Sequence, residues 1–511
     1  MIQTPVSNIK VIVQEKPVAL EAVAELFDRL NRDGIRYCHW KSNMRLRQAL
    51  AGRTDLDLLV DRQHSQLFRQ ILIEHDLKAL VAAPGKHYPA IENYLGFDRA
   101  SGRLFHLHVH YQLVLGEQFV KNYRLPLEAY FLDSVQIEHG ILIPAPELEL
   151  IVLSIRALLK YRDRDVVKDI LSVRSSGLPA DILREIEWLL GQTSLERITQ
   201  MLQSIGNIVP ADIVTEFLQI ITTSPRNGYG LFRLRSCLRR ALRTHQRYNR
   251  LKASGIYFQQ LWQRSTLSRK WSSHRKMTLA NGGQTLALIG ADGSGKSAMS
   301  QMLLKWLDWK LDVHLYYLGS KQPSKRSKFL YLLFRMARRG HRTVSNRFGA
   351  QNYLLPLLEN FRQVLLYSHY LSIGYDRYFR YLVSRQKATA GLIVLYDRYP
   401  LEAPLDGPKI HVLVRDQMGA VARTFSKLEQ NLYQKFDLPD TMLALDVSPA
   451  VSQYRKPDHD PAIIEAKSRL IRKLITQADQ KNSHVKLLRI DADRPFEEVS
   501  SRFKATIWEL L

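Results

Sequence analysis

Eight consecutive residues, Gly290-Ala-Asp292-Gly293-Ser294-Gly295-Lys296-Ser297, follow the pattern G-x-x-x-x-G-K-S and suit a polyphosphate by type and spacing. The glycines let backbone N–H groups turn inward around phosphate oxygens, and the start of a following helix adds favourable partial charge. Lys296 is placed to reach the β- and γ-phosphates of ATP, and Ser297 to ligate Mg2+. A second group, Asp397-Arg398-Tyr399-Pro400, offers a carboxylate for Mg2+ or an acceptor oxygen. Its guanidinium can grip an acceptor phosphate through two hydrogen bonds. A third group, Arg455-Lys456-Pro457-Asp458-His459-Asp460, is a short cationic turn, followed on a helical stretch by Lys467, Arg469, Arg472 and Lys473. Mobile cations that close over phosphates lower the cost of developing charge in phosphoryl transfer.

These groups need elements to hold them. Residues 284–289 are a short apolar run suited to a buried strand, and Met299, Met302, Leu303, Trp306 and Leu307 recur at helical spacing after the loop. Residues 391–396 read as a strand with Asp397 at its carboxyl end, the edge at which open α/β sheets bind ligands. Residues 442–447 read as another, which leads through Ser448-Pro449 into a helix. Asp376-Arg377-Tyr378 repeats the Asp397 triplet inside a helical run, residues 367–382, and is set aside as a site. From Thr285 onward short apolar runs alternate with longer helical stretches, which predicts a parallel sheet flanked by helices.

Taken in order, these motifs resemble the thymidylate kinase family of P-loop nucleoside-monophosphate kinases over residues 284–511. The resemblance is carried by the phosphate loop, Tyr396-Asp-Arg-Tyr399, Leu443-Ala-Leu-Asp-Val-Ser-Pro449, Arg455-Lys456 where the family's lid begins, and Ile490-Asp-Ala492 followed by Glu497-Glu-Val499. It implies an ATP- and Mg2+-dependent phosphotransferase with Lys296, Asp397, Arg398 and Arg455 as catalytic residues. Gly290, Asp292, Gly293, Ser294, Gly295, Lys296 and Ser297 would bind nucleotide, and Ser297 and Asp397 would hold Mg2+. By the same resemblance, Asp292 contacts an acceptor sugar hydroxyl, Arg398 the acceptor phosphate, and Arg455 is the lid cation. The family's Arg-Glu-Pro-Gly-type turn after its second strand is missing; residues 313–320 run straight into a basic insertion, 321–347. The donor is therefore implied, while the acceptor stays open: a nucleoside monophosphate or another hydroxyl or phosphate group. Kinase-like domains of this variant kind resemble those encoded in cell-surface polysaccharide gene clusters.

Towards the N-terminus, Lys41-Ser42-Asn43 precedes Thr54-Asp55-Leu-Asp57. Carboxylates at i and i+2 on a strand share a face, so Asp55 and Asp57 could hold one Mg2+. Over about the first 135 residues the chain resembles the nucleotidyltransferase fold, in which a third carboxylate completes a two-metal site. Lys41-Ser42 stands in place of that fold's Gly-Ser turn, and residues 105–111 offer His108 or His110 in place of the carboxylate. The domain is expected to bind or present a substrate. His106, His108 and His110 alternate onto one strand face roughly 6.5–7 Å apart. One metal could take two of them at most, with no Cys or carboxylate nearby to complete a set, so a polar strand face is expected there rather than zinc.

At 511 residues the chain exceeds one core. Its patterning divides it into 1–144, nucleotidyltransferase-like and α+β; 145–225, helical; 226–277, a basic connector; and 278–511, the α/β phosphate-loop domain. Net charge is +25, and no acidic residue falls between Glu216 and Asp292, whereas fourteen Lys or Arg lie from Arg226 to Lys276. Residues 231–243 interleave apolar and cationic side chains, and Tyr257, Phe258, Leu261 and Trp262 follow. Such a connector could lie on an anionic membrane, track nucleic acid, or pack as a solvated helix against either domain. No apolar run approaches the ~20 residues of a membrane span, and residues 1–10 do not read as a signal peptide. Two distant cysteines, Cys38 and Cys237, fit a reducing compartment. The expectation is a cytoplasmic phosphotransferase, at most peripheral to a membrane, with ATP and a phosphate-accepting substrate as partners. Two rivals stand beside it: an ATP-binding scaffold or switch, and a nucleic-acid end-processing kinase and nucleotidyltransferase.

Overall fold

The computed structural model describes residues 19–83, 85–116, 120–161, 178–223, 227–263, 275–348, 353–401, 405–410, 419–480 and 486–511. Residues 1–10, Arg226 and residues 264–274 of the expected connector lie outside the described residues. The chain forms two compact units, one of residues 1–80 and 84–272, the other of residues 81–83 and 273–511.

In the first unit α1 (Glu21–Arg32) buries Val23, Leu26, Phe27 and Leu30, the stripe that a 3.6-residue period places on one face. Five strands, β1 (Tyr37–His39), β2 (Leu56–Val60), β3 (Lys78–Val81), β4 (Ile91–Asp98) and β5 (Arg103–His110), lie in the order β1-β2-β5-β4-β3. Within that mixed sheet β2 and β5 run parallel and pair Asp57 with His108. Helix α2 (Ser65–Glu74) buries Phe68, Ile71 and Leu72 in the same core as α1.

Helix α3 (Pro146–Lys160) is apolar around most of its circumference and is correspondingly buried. Around it stand α4 (Ala180–Leu190), α5 (Leu195–Ile205), α6 (Ala211–Thr223) and α7 (Gly228–Ala241). Their core also takes in Cys38, Trp40 and Leu59, so helices and sheet share one interior. The basic amphipathic stretch of the connector is α7, N-capped by Asn227, whose side chain accepts from the Gly230 amide. Its apolar stripe, Leu231, Leu234 and Leu238, is spent on that core, which matches the solvated packed helix among the three readings. Helix α8 (Arg250–Gln263) instead leaves Leu251, Phe258 and Trp262 exposed.

The second unit holds a fully parallel five-stranded sheet of β6 (Gln284–Gly290), β7 (Val313–Tyr317), β8 (Ile393–Asp397), β9 (Thr441–Asp446) and β10 (Lys486–Asp491), in the order β7-β8-β6-β9-β10. Its helices are α9 (Lys296–Leu307), α10 (Lys325–Phe348), α11 (Leu355–Thr389), α12 (Ala420–Tyr433), α13 (Pro449–Arg455), α14 (Pro461–Gln480) and α15 (Phe496–Leu510). The alternating apolar and helical runs thus form the parallel α/β sheet that the pattern predicts. Strand β6 is central, and Leu286 and Leu288 are fully buried, each contributing about 1.5–3 kcal/mol. Ala287, Ile289, Val394 and Tyr396 pack with Ile471 and Ile475 of α14. The basic insertion becomes α10, laid against α11, with the Ser327 and Ser372 hydroxyls 2.8 Å apart between them. No helix among the described residues is long and apolar enough to cross a membrane.

Candidate functional site

In the second unit, β6 ends at Gly290 and α9 begins at Lys296, so the glycine-rich loop sits where strand passes to helix. Gly293 and Gly295 take φ of +84° and +88°, a region costly for any residue with a Cβ. At Gly290 a Cβ would come within 2.5 Å of Ser294 Oγ and 3.0 Å of the Leu445 carbonyl oxygen. The Lys296 amine is folded back over the loop and donates to the carbonyls of Gly290 at 2.8 Å and Ala291 at 2.6 Å. Burial, reinforced by the charge of Arg398, pushes this amine down to about 8.

Parallel pairing of β6 with β8 sets Leu288 opposite Asp397. Ser297 Oγ then donates to Asp397 Oδ2 at 3.1 Å across 100 residues of sequence. The other oxygen, Asp397 Oδ1, is buried without a hydrogen-bond partner among the described residues, an arrangement that proteins rarely leave unexplained. A cation bound to it would supply the missing partner, so this hydroxyl and carboxylate fit Mg2+ by donor type.

Arg398 follows with φ of +63°, unusual for a residue with a long side chain. Its guanidinium lies 3.5 Å from Asp292 Oδ1 and 3.4 Å from Asp406 Oδ2. Gly319 passes so close that a Cβ there would lie 2.7 Å from Arg398 Cδ. Asp292 also pairs with the Lys467 amine of α14, and His459 Nδ1 is 3.7 Å away. Burial alone would raise the Asp292 carboxyl, but the hydrogen bond and charge of Lys467, with Lys296 and Arg398 beyond, hold it at about 2. Arg455 is turned elsewhere, its guanidinium donating to the Ala492 carbonyl at 2.9 Å and the Arg494 carbonyl at 3.4 Å.

Lys296, Ser297, Asp397, Arg398 and Asp292 therefore converge, and Arg455 stands apart. Lys467 is one of the four cations expected on that helical stretch, whereas two further neighbours, Asp406 and Gly319, carry no motif. The repeated triplet has a structural part here, because Arg377, almost fully buried on α11, donates to the Asp406 carbonyl at 2.6 Å. Two Asp-Arg arginines thus meet one aspartate.

The first unit contains a cavity of about 300 Å3 lined by Ser42, Arg45, Asp55, Asp57, Arg156 and Lys160 among others. Ser42, at φ +61°, and Asn43 form the turn after β1, held by Glu149 of α3, which accepts from the Asn43 amide at 3.0 Å and side chain at 2.7 Å. Burial pushes the Glu149 carboxyl up to about 7. Asp55 and Asp57 are engaged separately. Asp55 lies 3.0 Å from His106 Nδ1, whereas Asp57 Oδ1 lies 2.7 Å from Lys41 Nζ and 2.8 Å from His108 Nδ1. The expectation that no carboxylate completes the histidine set is corrected here. Asp57, His108 and His110 bring their donor atoms within 4.8 Å of one another. The carboxylate comes from β2, some fifty residues away in sequence, through the β2–β5 register.

No family model matches the chain. It is similar to the "Uncharacterized ATP-binding protein YghR" of Escherichia coli strain K12, 28% identical over 225 residues that cover 42% of this chain and 82% of that protein. The YghR protein of Escherichia coli O6:H1 matches with the same figures. Among solved structures, a deoxyadenosine kinase from M. mycoides with bound dATP aligns at 12% identity and a TM-score of 0.28, over 44% of this chain and 98% of that one.

Proposed function

We propose that the second unit is an ATP-dependent phosphotransferase of the P-loop kinase type. The observation that carries this reading is the meeting of Ser297 with Asp397 at 3.1 Å beside the Lys296 loop. A nucleoside triphosphate would lie along the backbone N–H groups of residues 290–297, with Lys296 swinging from the Gly290 and Ala291 carbonyls onto its phosphates. Ser297 and Asp397 would hold Mg2+, which neutralises charge on the transferring group. Arg398, with Asp292 beside it, faces the acceptor in this reading. Lys467 is the lid cation best placed to follow, while Arg455 would need to leave the Ala492 carbonyl to take that part. The similarity to a protein named for ATP binding supports the donor half alone. Among the described residues, none on the acceptor side selects thymidine monophosphate.

The test is transfer of labelled γ-phosphate from ATP, with Mg2+, to a panel of nucleoside monophosphates, sugars, lipid-linked glycans and DNA ends. One acceptor should be labelled in a Mg2+-dependent way. ATP–Mg2+ binding with no acceptor labelled and only slow ATP turnover would favour the switch instead.

ATP affinity should also depend on pH through Lys296. Burial pushes its amine down to about 8 when no phosphate is bound, and bound phosphates raise that value. Well below pH 8 the amine is already charged, so binding takes up little proton there; above pH 8 binding increasingly requires protonation. Affinity should therefore fall by roughly 5-fold from pH 8 to 9, approaching ~10-fold per pH unit above that. Calorimetry in buffers of different ionisation heat should register proton uptake at pH 9 and little at pH 7.5. Equal affinity and no uptake at pH 9 would mean that the free amine is already charged there, against the lowering by burial, and would leave the phosphate contact to be judged by Lys296→Ala.

A further inference from the structure

We propose that the first unit carries a transition-metal site formed by Asp57, His108 and His110, separate from the Mg2+ site of the phosphate loop. His108 and His110 are two residues apart on β5 and share a face, and β2 delivers Asp57 opposite His108. The three donor atoms are close together. His108 Nδ1 lies 2.8 Å from Asp57 Oδ1, and His110 Nε2 lies 3.2 Å from His108 Nδ1. Ligands held ~2.0–2.1 Å from a tetrahedral zinc ion stand about 3.3 Å from each other.

Hydrogen bonding alone does not account for the cluster. The Nδ1 of His108 carries at most one proton, yet it faces an oxygen of Asp57 on one side and the Nε2 of His110 on the other. If that proton points to Asp57, His110 Nε2 has no donor along its contact. If His110 supplies the proton, His108 and Asp57 meet lone pair to lone pair at 2.8 Å. A divalent ion at the focus accepts all three lone pairs together.

Two imidazoles and one carboxylate suit Zn2+ or another divalent first-row ion and suit Mg2+ poorly. Asp57 lines the 300 Å3 cavity, so an ion can enter from there and keep a coordination position facing it. Arg45, Arg156 and Lys160 on the same walls would favour an anionic fourth ligand. Lys41, 2.7 Å from Asp57 Oδ1, competes for that carboxylate and opposes the ion by charge.

The test uses the full chain, without a histidine tag and stripped with chelator. Zn2+ affinity is read by competition with a chromophoric chelator, and Co2+ is followed by its visible absorption. An Asp397→Asn background removes the phosphate-loop site from the count. We expect one ion per chain, loss of affinity by ~100-fold or more in His108→Gln and His110→Gln with far-ultraviolet dichroism unchanged, and tighter binding in Lys41→Met. Asp57→Asn, nearly isosteric, gives the same loss should either histidine variant fold poorly. Failure of the wild type to take up Zn2+ or Co2+, or undiminished uptake by the His108→Gln and Asp57→Asn variants, would overturn the site. Neither result bears on ATP binding by the second unit.

Discussion

Lys296→Ala should bind ATP–Mg2+ at least ~100-fold more weakly and transfer phosphoryl groups ~10²–10³-fold more slowly, the range seen when one preorganised charge donor is removed. The fold should tolerate the change. The lost hydrogen bonds to Gly290 and Ala291 leave two carbonyls to be resatisfied, a cost of about 1–3 kcal/mol. Removing a buried cation that Arg398 repels offsets part of it. Titration calorimetry and thermal unfolding on the same sample separate the two effects. Binding within threefold of wild type would mean that this loop is a tight turn and not a phosphate site.

The second large effect is expected at Arg398. Its backbone holds φ at +63°, which costs a residue with a Cβ roughly 1–2 kcal/mol and glycine almost nothing. Arg398→Gly relieves that strain while losing the ion pairs to Asp292 and Asp406, at 3.5 and 3.4 Å, which are partly solvated and contribute up to ~1 kcal/mol each. The two terms nearly cancel, so the melting temperature should hardly move. ATP binding should persist, because Lys296 and Ser297 are untouched. Transfer to the acceptor should nonetheless fall by ~10²–10³-fold. A variant that keeps its activity would move the acceptor away from Arg398; one that loses ATP binding would place Arg398 on the donor.

Much of the second unit was legible because its chemistry is local. Residues 284–297 carry strand, loop and helix start in one stretch, and Asp397 closes a short apolar run that reads as a strand end. What escaped sequence reading depends on packing. Lys467, Arg469, Arg472 and Lys473 look equivalent along a basic helix, yet the path of α14 brings Lys467 to Asp292 and Arg472 to Asp446, while Arg469 pairs with Glu465 of its own helix. Asp406 belongs to no motif, and only the fold joins it to Arg377 and Arg398. In the first unit the histidine alternation was visible, but the partner carboxylate was not. It depends on a parallel register between strands about fifty residues apart, which no local pattern encodes. The amphipathic stripe of α7 was equally plain, and its burial against α3 could not be read from periodicity alone.

The strand order of the second unit also sets a timetable. Central β6 pairs Leu286 with Leu395 of β8 and with Thr441 of β9, neighbours that follow it by 109 and 155 residues. At roughly 5–20 residues per second of synthesis, the apolar β6 waits ~5–20 s for its first partner and ~8–30 s for its second. The phosphate loop hangs from that strand, so it cannot be fixed before both have arrived. During this interval the nascent chain exposes two open strand edges to any passing β-segment. Its yield in cells should therefore respond to chaperone supply more than the stability of the finished sheet would suggest.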